Sequence, residues 1–420
     1  MNRLMVMGPE CVRSKKVTSM EAALDGMMVV DFTEYGAGPF CSMLLGDLGA
    51  DVIKVEPPRG DAFRQWGPWH GDASAPFQQL NRNKRSVVLN LKDAHDLQLA
   101  CELVRDADVV IENFRPGTMA AFGLDYARIR EINPRLIYCA LSGYGQSGPY
   151  RNRGGFDLIL QGLGGLMSVT GDPTGAPAKS GVPIIDFGAS AHAAIGILAA
   201  YIARLRTGTG QLVDISLLDV PVSWLALLAA KYWASGEVQQ RLGSAHPLSA
   251  PYQAFRAADG YLTIAAGNQR LWESTCQALG TEHLTGDPRF LTNNDRARNQ
   301  ALLVPLLEAV LTTRPACEWI EQLNALGVPC GPLNEVDQVL QDPQVLHRDM
   351  VLELEHPRLG RLKLIGSPIK LSDTPVQLRR HPPDLGEHTA EIVAELEAKL
   401  AKSSTTGQVM TSAAVEPPQT

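Results

Sequence analysis

Short β-branched runs alternate with helix-like segments between residues 27 and 142, and this alternation constrains the fold more than any other feature. It indicates βαβ units, and therefore an α/β domain with a mostly parallel sheet. The runs that we predict as strands lie at 27–32, 51–57, 86–91, 108–114 and 135–142. Open α/β sheets bind ligands at the carboxyl ends of their strands, so the loops after these runs are the first candidates for a functional site.

A second pattern begins after residue 250. Residues 251–268 alternate as a hairpin that turns at Asp259-Gly260, and helical patterns follow it. The predicted helices lie at 269–279, 300–312 and 315–326. We therefore predict a smaller α+β domain here. Strand-like runs near 350–355 and 361–364 either extend this domain or return to the first one, and periodicity does not decide between the two.

The two ends of the chain and its most apolar stretch carry separate expectations. Residues 1–24 lack the apolar core of a secretory signal and residues 401–420 are too polar to pack, so we predict a disordered leader and a disordered tail. The apolar stretch 184–200 is interrupted by Asp186 and His192, which predicts a buried helix rather than a membrane span. His192 is expected to be a satisfied core histidine.

The charge balance and the cysteines limit the partners and the compartment. Thirty-eight Lys and Arg stand against forty-five Asp and Glu, and a net charge of −7 is the wrong sign for broad nucleic-acid binding. The seven cysteines are scattered and never at CxxC spacing, so neither a disulfide framework nor a zinc site is indicated. We predict a cytoplasmic protein with no nucleic-acid partner, no membrane segment and no metal.

A basic cluster precedes the third predicted strand. Arg82, Lys84 and Arg85 fall within five residues, while Arg59 and Arg115 follow other strand ends. Such cations are either solvated surface charge or a set that converges on a phosphorylated ligand. The sequence leaves both interpretations open.

Asp186 is the most informative single residue, because it interrupts an apolar run and is followed by small residues. It is either the N-cap of a helix beginning near Gly188 or a nucleophilic carboxylate at a helix N-terminus. Asp157 is expected to cap a helix before Leu158. His246, on a Gly/Ser-flanked loop, is a candidate for ligand contact, and Trp66 is either a core aromatic or a lid over a ligand.

Several stretches together resemble the class III coenzyme A transferases, over about residues 25 to 400. The matching stretches include AGPFCSMLLGDLGADVIKVEPP, NRNKRSVVLNLK, DVVIENFRPG, SGYGQSGP, DFGASAHAAIGILAA and PPDLGEHT. The resemblance implies a large domain with a Rossmann-like sheet, a small α+β domain and an interlocked homodimer. We expect the large domain at 25–225 and 336–400, and the small domain at 226–335.

The resemblance also implies roles for individual residues. Asp186 matches the aspartate that attacks the acyl-CoA thioester. The residues that match CoA-binding positions, or that replace them as phosphate contacts, are Arg59, Lys84, Asn113, Phe114 and Arg115. Ala121 and Gly154 replace basic residues of other members, so phosphate contacts are expected around Arg115 or Arg153. Our substrate-pocket candidates are Trp66, Phe156, Asp157 and His246. The CoA thioester would be a co-substrate, with no permanently bound cofactor.

Departures from the family pattern narrow the range of substrates that we expect. Phe156 stands where the racemases place a histidine, so proton exchange lacks one of its two bases. Gly36 stands where formyl-CoA transferases carry glutamine, which makes formate and oxalate doubtful substrates. The stretch GSAHPLSAPYQAF is most similar to members that use succinyl-CoA with glutarate, and itaconate and mesaconate are related acceptors. We expect CoA transfer to a dicarboxylic acid; the alternatives are a 2-methylacyl-CoA racemase and a non-catalytic CoA-binding protein.

Overall fold

The computed structural model describes residues 22–405 and divides them into two compact units. The first unit contains the described chain up to Leu141, Ser190–Ile215 and the described chain from Leu352. The second unit contains Ser142–Ala189 and Ser216–Val351.

The strands and helices follow one another in the following bounds. The strands are β1 (Met28–Asp31), β2 (Asp51–Glu56), β3 (Trp69–His70), β4 (Ala73–Ser74), β5 (Lys84–Val88), β6 (Val109–Glu112), β7 (Ile137–Ser142), β8 (Leu212–Ser216), β9 (Tyr252–Ala257), β10 (Gly260–Ala265), β11 (Cys330–Pro332), β12 (Val351–His356) and β13 (Gly360–Ile365). The helices are α1 (Ala37–Asp47), α2 (Ala75–Leu80), α3 (Ala94–Asp106), α4 (Thr118–Ala121), α5 (Tyr126–Ile132), α6 (Asp157–Leu163), α7 (Leu166–Val169), α8 (Ile184–Thr207), α9 (Asp219–Trp224), α10 (Ala226–Ser235), α11 (Gln269–Leu279), α12 (Asn293–Arg298), α13 (Gln300–Leu311), α14 (Ala316–Ala325), α15 (Val336–Val339), α16 (Pro343–His347) and α17 (Thr389–Thr405), with short 3-10 turns at Ala62–Gln65 and Glu282–Gly286.

The first unit is built on a six-stranded sheet in the order β5-β2-β1-β6-β7-β8. The pairs β5/β2, β2/β1, β1/β6 and β6/β7 are parallel, which confirms the predicted mostly parallel sheet. The strand order runs outward in both directions from β1, so β1 and β6 flank a topological switch point. In doubly wound folds, ligands bind outside the carboxyl ends of the strands at such a point.

The C-terminal segment belongs to this first unit. Ile392 and Leu396 of α17 are buried in the same apolar cluster as Leu99 and Leu103 of α3. This C-terminal segment decides the question that periodicity left open, because β13 and nearly all of β12 lie in the first unit. It also corrects the predicted tail, because α17 continues to Thr405. The other residues predicted as tail, 406–420, lie outside the described part of the chain.

The second unit contains an antiparallel sheet in the order β11-β10-β9. The hairpin turns between Ala257 and Gly260, as predicted, and α11, α13 and α14 begin and end within one residue of the predicted limits. One face of the sheet packs against these helices. Residues at the centre of this core are Phe255, Leu262, Trp272, Leu307 and Trp319.

The unit boundaries differ from those that we expected. Residues 142–189 belong to the second unit rather than the first, because the Leu217 N–H donates to the Ser142 carbonyl and Gly164 packs on Pro221. A Cβ at Gly164 would lie 2.4 Å from Pro221 Cγ, so only glycine allows this contact. The return to the first unit comes at Leu352 rather than at residue 336.

The N-terminal expectation needs a smaller correction. Residues 1–21 of the predicted leader lie outside the described residues, but Ala22 is buried and the Leu24 N–H donates to the Leu48 carbonyl. The ordered fold therefore begins before residue 25.

Helix α8 is the long helix that the apolar stretch predicted. Its buried face includes Ile185, Ala193 and Ile197, and Gly196 lies against Val213 of β8. By length and composition alone α8 is also apolar enough to cross a membrane. His192 lies on the exposed side of the helix, which corrects the prediction of a core histidine. Because α8 is apolar almost all round, its sequence does not show which face is buried.

Candidate active site

Two loops meet at the switch point of the first unit, one after β1 and one after β6. Asn113 accepts a hydrogen bond from the Glu34 N–H at 3.0 Å and donates one to the Glu34 carbonyl at 2.7 Å. This reciprocal pair locks the two loops together at the position where such folds bind ligands. The sequence predicted Asn113 but missed Glu34, whose signal was its place in the first loop after a strand.

Arg59 lies beside this pair, on the loop after β2. Its guanidinium is 2.7 Å from the Glu34 carboxylate, and the Arg59 side chain is 56% exposed. Arg115 is also exposed, while Phe114 is half-buried and packs against the apolar core. Two exposed guanidinium groups at strand ends suit the binding of phosphate groups.

Trp66 belongs to an aromatic cluster near Arg59. It lies 5.1 Å from Phe63 and 6.2 Å from Tyr35 between ring centroids, and it is 53% exposed. Trp66 is thus not a core aromatic. Its exposed ring offers a flat apolar surface on which a ligand can pack.

The structure corrects the role implied for the Lys84 side chain. Lys84 is fully buried, and its ammonium group lies 3.1 Å from Asp31. It also donates to the backbone carbonyl of Pro39 at 2.9 Å and to the side-chain oxygen Oδ1 of Asn81 at 2.8 Å. Burial lowers the pKa of Lys84 to about 8, although Asp31 opposes the shift. An ammonium group has three N–H bonds, so these contacts use all of them.

The other two cations of this cluster are also structural. Arg82 is 3% exposed and pairs with Asp47 through two hydrogen bonds, at 2.9 Å and 2.6 Å. Arg85 is buried and pairs with Asp51 and Glu391. The cluster is therefore neither solvated surface charge nor a phosphate site, but a set of ion pairs that joins segments of the first unit.

Asp186 lies in the first turn of α8, in the second unit. Burial, followed by the negative charge of Asp157, raises the pKa of Asp186 to about 7. Because α8 begins at Ile184, Asp186 is not the N-cap that the alternative interpretation required. Gly188 faces the Trp224 ring, which a Cβ would approach to 2.4 Å. The small size of Gly188, two residues after Asp186, thus leaves room for the Trp224 ring.

Asp157 caps a different helix from the one that we expected. It is the first residue of α6, and its Oδ1 accepts a hydrogen bond from the Ile185 N–H of α8 at 2.8 Å. Gln161, one turn further along α6, donates to Asp157 Oδ2 at 2.6 Å and accepts from the Ser180 N–H at 2.8 Å. Gln161 was not predicted from the sequence, where its only signal was the i, i+4 spacing from Asp157.

The remaining candidates occupy different surroundings in the second unit. Phe156 is 63% exposed beside Asp157. His246 is half-buried, stacks on Tyr252 at 5.2 Å and accepts a hydrogen bond from the Leu248 N–H. Its contacts thus hold the loop before β9. Arg153 is exposed to solvent. Its guanidinium carbon lies over the Tyr150 ring, 3.8 Å from the ring centroid.

The arrangement around Asp186 suits nucleophilic chemistry. A carboxylate that is partly desolvated and close to a second negative charge is a stronger nucleophile than one in water. Its position in the first turn of α8 places it near the N–H groups that stabilise an anion.

The chain matches the profile of CoA-transferase family III over residues 24–389. Human succinyl-CoA:glutarate CoA-transferase is 38% identical over 375 residues, which cover 89% of this chain and 86% of that protein. Acetyl-CoA:oxalate CoA-transferase of Acetobacter aceti is 40% identical and covers 90% and 97% of the two chains.

A crystal structure of a CAIB/BAIF family protein from Brucella suis has the same fold. It superposes with a TM-score of 0.80 at 41% identity and covers 89% of this chain and 99% of that one. The sequence match and the shared fold both span nearly the whole length of the described chain. The protein is therefore a transferase, and it belongs to CoA-transferase family III.

Proposed function

We propose that this protein transfers CoA from succinyl-CoA to a dicarboxylic acid through transient acylation of Asp186. The observation that carries the proposal is the place of this carboxyl group, half-buried in the first turn of α8 and close to the charge of Asp157. Membership of a CoA-transferase family supplies the reaction class.

The reaction proceeds by exchange of acyl groups on one carboxylate. Asp186 attacks the thioester carbonyl, the C–S bond breaks, and CoA leaves as a thiolate from a mixed anhydride. The acceptor carboxylate attacks the aspartyl carbonyl and expels succinate. The thiolate then attacks the acceptor acyl carbonyl, forms the new thioester and releases the Asp186 carboxylate. Each bond broken is matched by a bond formed, so no external oxidant or base is consumed.

The barrier is lowered by positioning and by the exclusion of water. Holding the carboxylate against the thioester carbonyl supplies about 7 to 11 kcal/mol relative to free encounter. Water must be excluded, because an anhydride in contact with solvent would hydrolyse.

CoA itself is held, in this proposal, at the switch point of the first unit. Arg59 and Arg115 contact its phosphate groups, while Asn113 and Phe114 contact the nucleotide or the pantetheine arm. In the free protein Glu34 pairs with Arg59. Phosphate binding therefore either breaks this ion pair or uses the other N–H groups of the guanidinium.

The acceptor is a dicarboxylate of four to six carbon atoms. The name of one relative supports this class, since it is a succinyl-CoA:glutarate transferase. Glutarate, itaconate and mesaconate are the acceptors of choice for a first assay. Transfer of CoA from acetyl-CoA to oxalate is assayed alongside them, because this reaction distinguishes the oxalate transferase from the glutarate transferase among the relatives. A preference for oxalate, formate or a branched monocarboxylate would refute the proposed acceptor class.

Trapping of the acylated carboxyl group tests the mechanism. The protein is incubated with succinyl-CoA and hydroxylamine, and modified peptides are mapped by mass spectrometry. We expect a hydroxamate at Asp186 and no transfer activity in Asp186→Asn. A hydroxamate at another residue, or full activity of the variant, would overturn the assignment.

We further propose that the functional form is an interlocked homodimer. Each unit exposes large apolar side chains. On α8 of the first unit these are Ile195, Ile202 and Leu205, exposed by 64%, 53% and 68%, and on α10 of the second unit they are Leu227 and Trp233, exposed by 68% and 80%. Exposed apolar surface of this kind marks an interface. A second copy of the chain is the partner that the family resemblance implies.

A further inference from the structure

Helix α6 carries two side chains that hold the backbone immediately before Asp186. Asp157 and Gln161, which we call the α6 clamp, are four residues apart and therefore lie on one face of the helix. Asp157 binds the Ile185 N–H and Gln161 binds the Ser180 N–H, each at 2.8 Å. The clamp thus fixes both ends of the segment that leads into the proposed nucleophile.

This segment needs such support. Residues 181–183 are exposed, and Ser180 is only half-buried, so apolar packing does little to fix their backbone. Gln161, in contrast, is 1% exposed. A buried amide with two hydrogen bonds is a rigid anchor, whereas an exposed loop alone is not.

The direction of the clamp hydrogen bonds also fixes the orientation of the Asp157 carboxyl group. Gln161 accepts from the Ser180 N–H with its oxygen, so its nitrogen must face Asp157 Oδ2 as a donor. The other carboxyl oxygen of Asp157 accepts from the Ile185 N–H. Because both oxygens accept, the Asp157 carboxyl group is held in one orientation, with Oδ1 toward the Ile185 N–H and Oδ2 toward Gln161.

We propose that Gln161 is a positioning residue, which orients the Asp157 carboxyl group and pins Ser180 so that α8 presents Asp186 in the geometry for attack. The inference rests on the proposed function of Asp186. It predicts that Gln161 acts on the rate of acyl transfer more than on the binding of acyl-CoA, because its contacts are to Asp157 and to the backbone before Asp186.

Exchanging the two side chains provides a sharp test. In Gln161→Glu, two carboxyl groups face each other and one must take a proton. In Asp157→Asn, two amide NH2 groups face each other. In the double variant Asp157→Asn/Gln161→Glu, the new carboxylate at position 161 accepts from the new amide and from the Ser180 N–H, and the amide oxygen still accepts from the Ile185 N–H. All three hydrogen bonds are then restored.

We expect Gln161→Leu and Gln161→Glu to lower kcat for CoA transfer from succinyl-CoA to glutarate by about tenfold to a hundredfold. The KM for succinyl-CoA should change by less than about threefold. The double variant should recover at least about tenfold in kcat relative to Gln161→Glu. Gln322→Leu is the matched control, because the Gln322 amide also bridges two segments, Ala278 and Arg314, within the α+β core, and it should leave kcat unchanged.

Two results would overturn the inference: a kcat for Gln161→Leu within about twofold of the wild type, or a double variant no more active than the weaker single variant. Thermal unfolding confirms that each variant is folded. A wild-type protein that transfers no CoA counts against the proposed function instead. In that case, amide hydrogen exchange at Ser180 and Ile185, expected to be faster in Gln161→Leu, still tests the clamp and would refute it if the rates were unchanged.

Discussion

Asp186 combines two properties that normally oppose each other, a place near helix N–H groups and a raised pKa. Helix N-termini favour the carboxylate, but burial and then the charge of Asp157 favour the protonated form. A group that titrates near neutral pH is half ionised under physiological conditions. Such a carboxylate is more nucleophilic than an ordinary aspartate and is still available as the anion.

The pKa of Asp186 predicts how the rate of the reaction depends on pH. In the proposed mechanism only the ionised form of Asp186 attacks the thioester, and the pKa of Asp186 is raised to about 7, so kcat/KM should rise with pH and level off above about 7. Below pH 6 the expected fall is about tenfold per pH unit. Asp157→Asn removes a negative charge that raises the pKa of Asp186, so the midpoint of the pH profile should move to lower pH even where the maximal rate is reduced. A midpoint near 4 in the wild type would contradict the assignment.

Substitutions at Lys84 and Arg59 distinguish a structural cation from a ligand-binding one. Lys84→Met removes the ion-pair partner of the buried Asp31 carboxylate, so we expect the free energy of unfolding to fall by about 3 to 5 kcal/mol. Arg59→Met, at an exposed ion pair, should change it by less than about 1 kcal/mol while raising the KM for acyl-CoA. Denaturant unfolding and initial rates measure both. A raised KM with unchanged stability in Lys84→Met would restore its implied role in CoA binding.

Among the elements, helix α8 is divided between the two units. Its residues up to Ala189 belong to the second unit, and its residues from Ser190 belong to the first unit, where Gly196 packs on β8. The contact with β8 depends on Gly196, because a Cβ there would lie 2.7 Å from Val213 Cγ1. Val213 is β-branched and stiff, and cannot easily move aside.

Gly196→Val should therefore destabilise the protein by about 1 to 3 kcal/mol through overpacking. Gly286→Val is the control, because a Cβ at Gly286 meets nothing within 4 Å. Unfolding in urea compares the two variants. Equal stability of both would mean that α8 is not packed as closely on β8 as the structure shows.

The homodimer that we propose would cover the exposed apolar side chains of α8. Light scattering should give the mass of a dimer for the wild type. Ile195→Asp should shift the equilibrium toward the monomer, because it places a charge in the proposed interface, while Gln98→Asp on the exposed face of α3 should not. A monomeric wild type that binds phospholipid vesicles would contradict the dimer and would favour the membrane interpretation of α8.

Local patterns in the sequence determined the elements of this protein. β-branched runs predicted five of the six strands of the first sheet, and alternation and helical spacing predicted the hairpin near Asp259 and the helices after it, because these depend on neighbours along the chain. The family motifs identified the reaction class, and their match to the chain is confirmed. Asp186 was singled out because a carboxylate in an apolar run needs an explanation.

Only the tertiary structure decided the contacts between distant segments. It buried Lys84 against Asp31, placed Gln161 against Ser180, and packed α17 on α3. None of these pairings leaves a periodic trace, since each joins residues that lie far apart in sequence or depends on which face of an element is covered. A charge that is buried and a charge that is solvated look the same along the chain, and the surrounding fold alone distinguishes them.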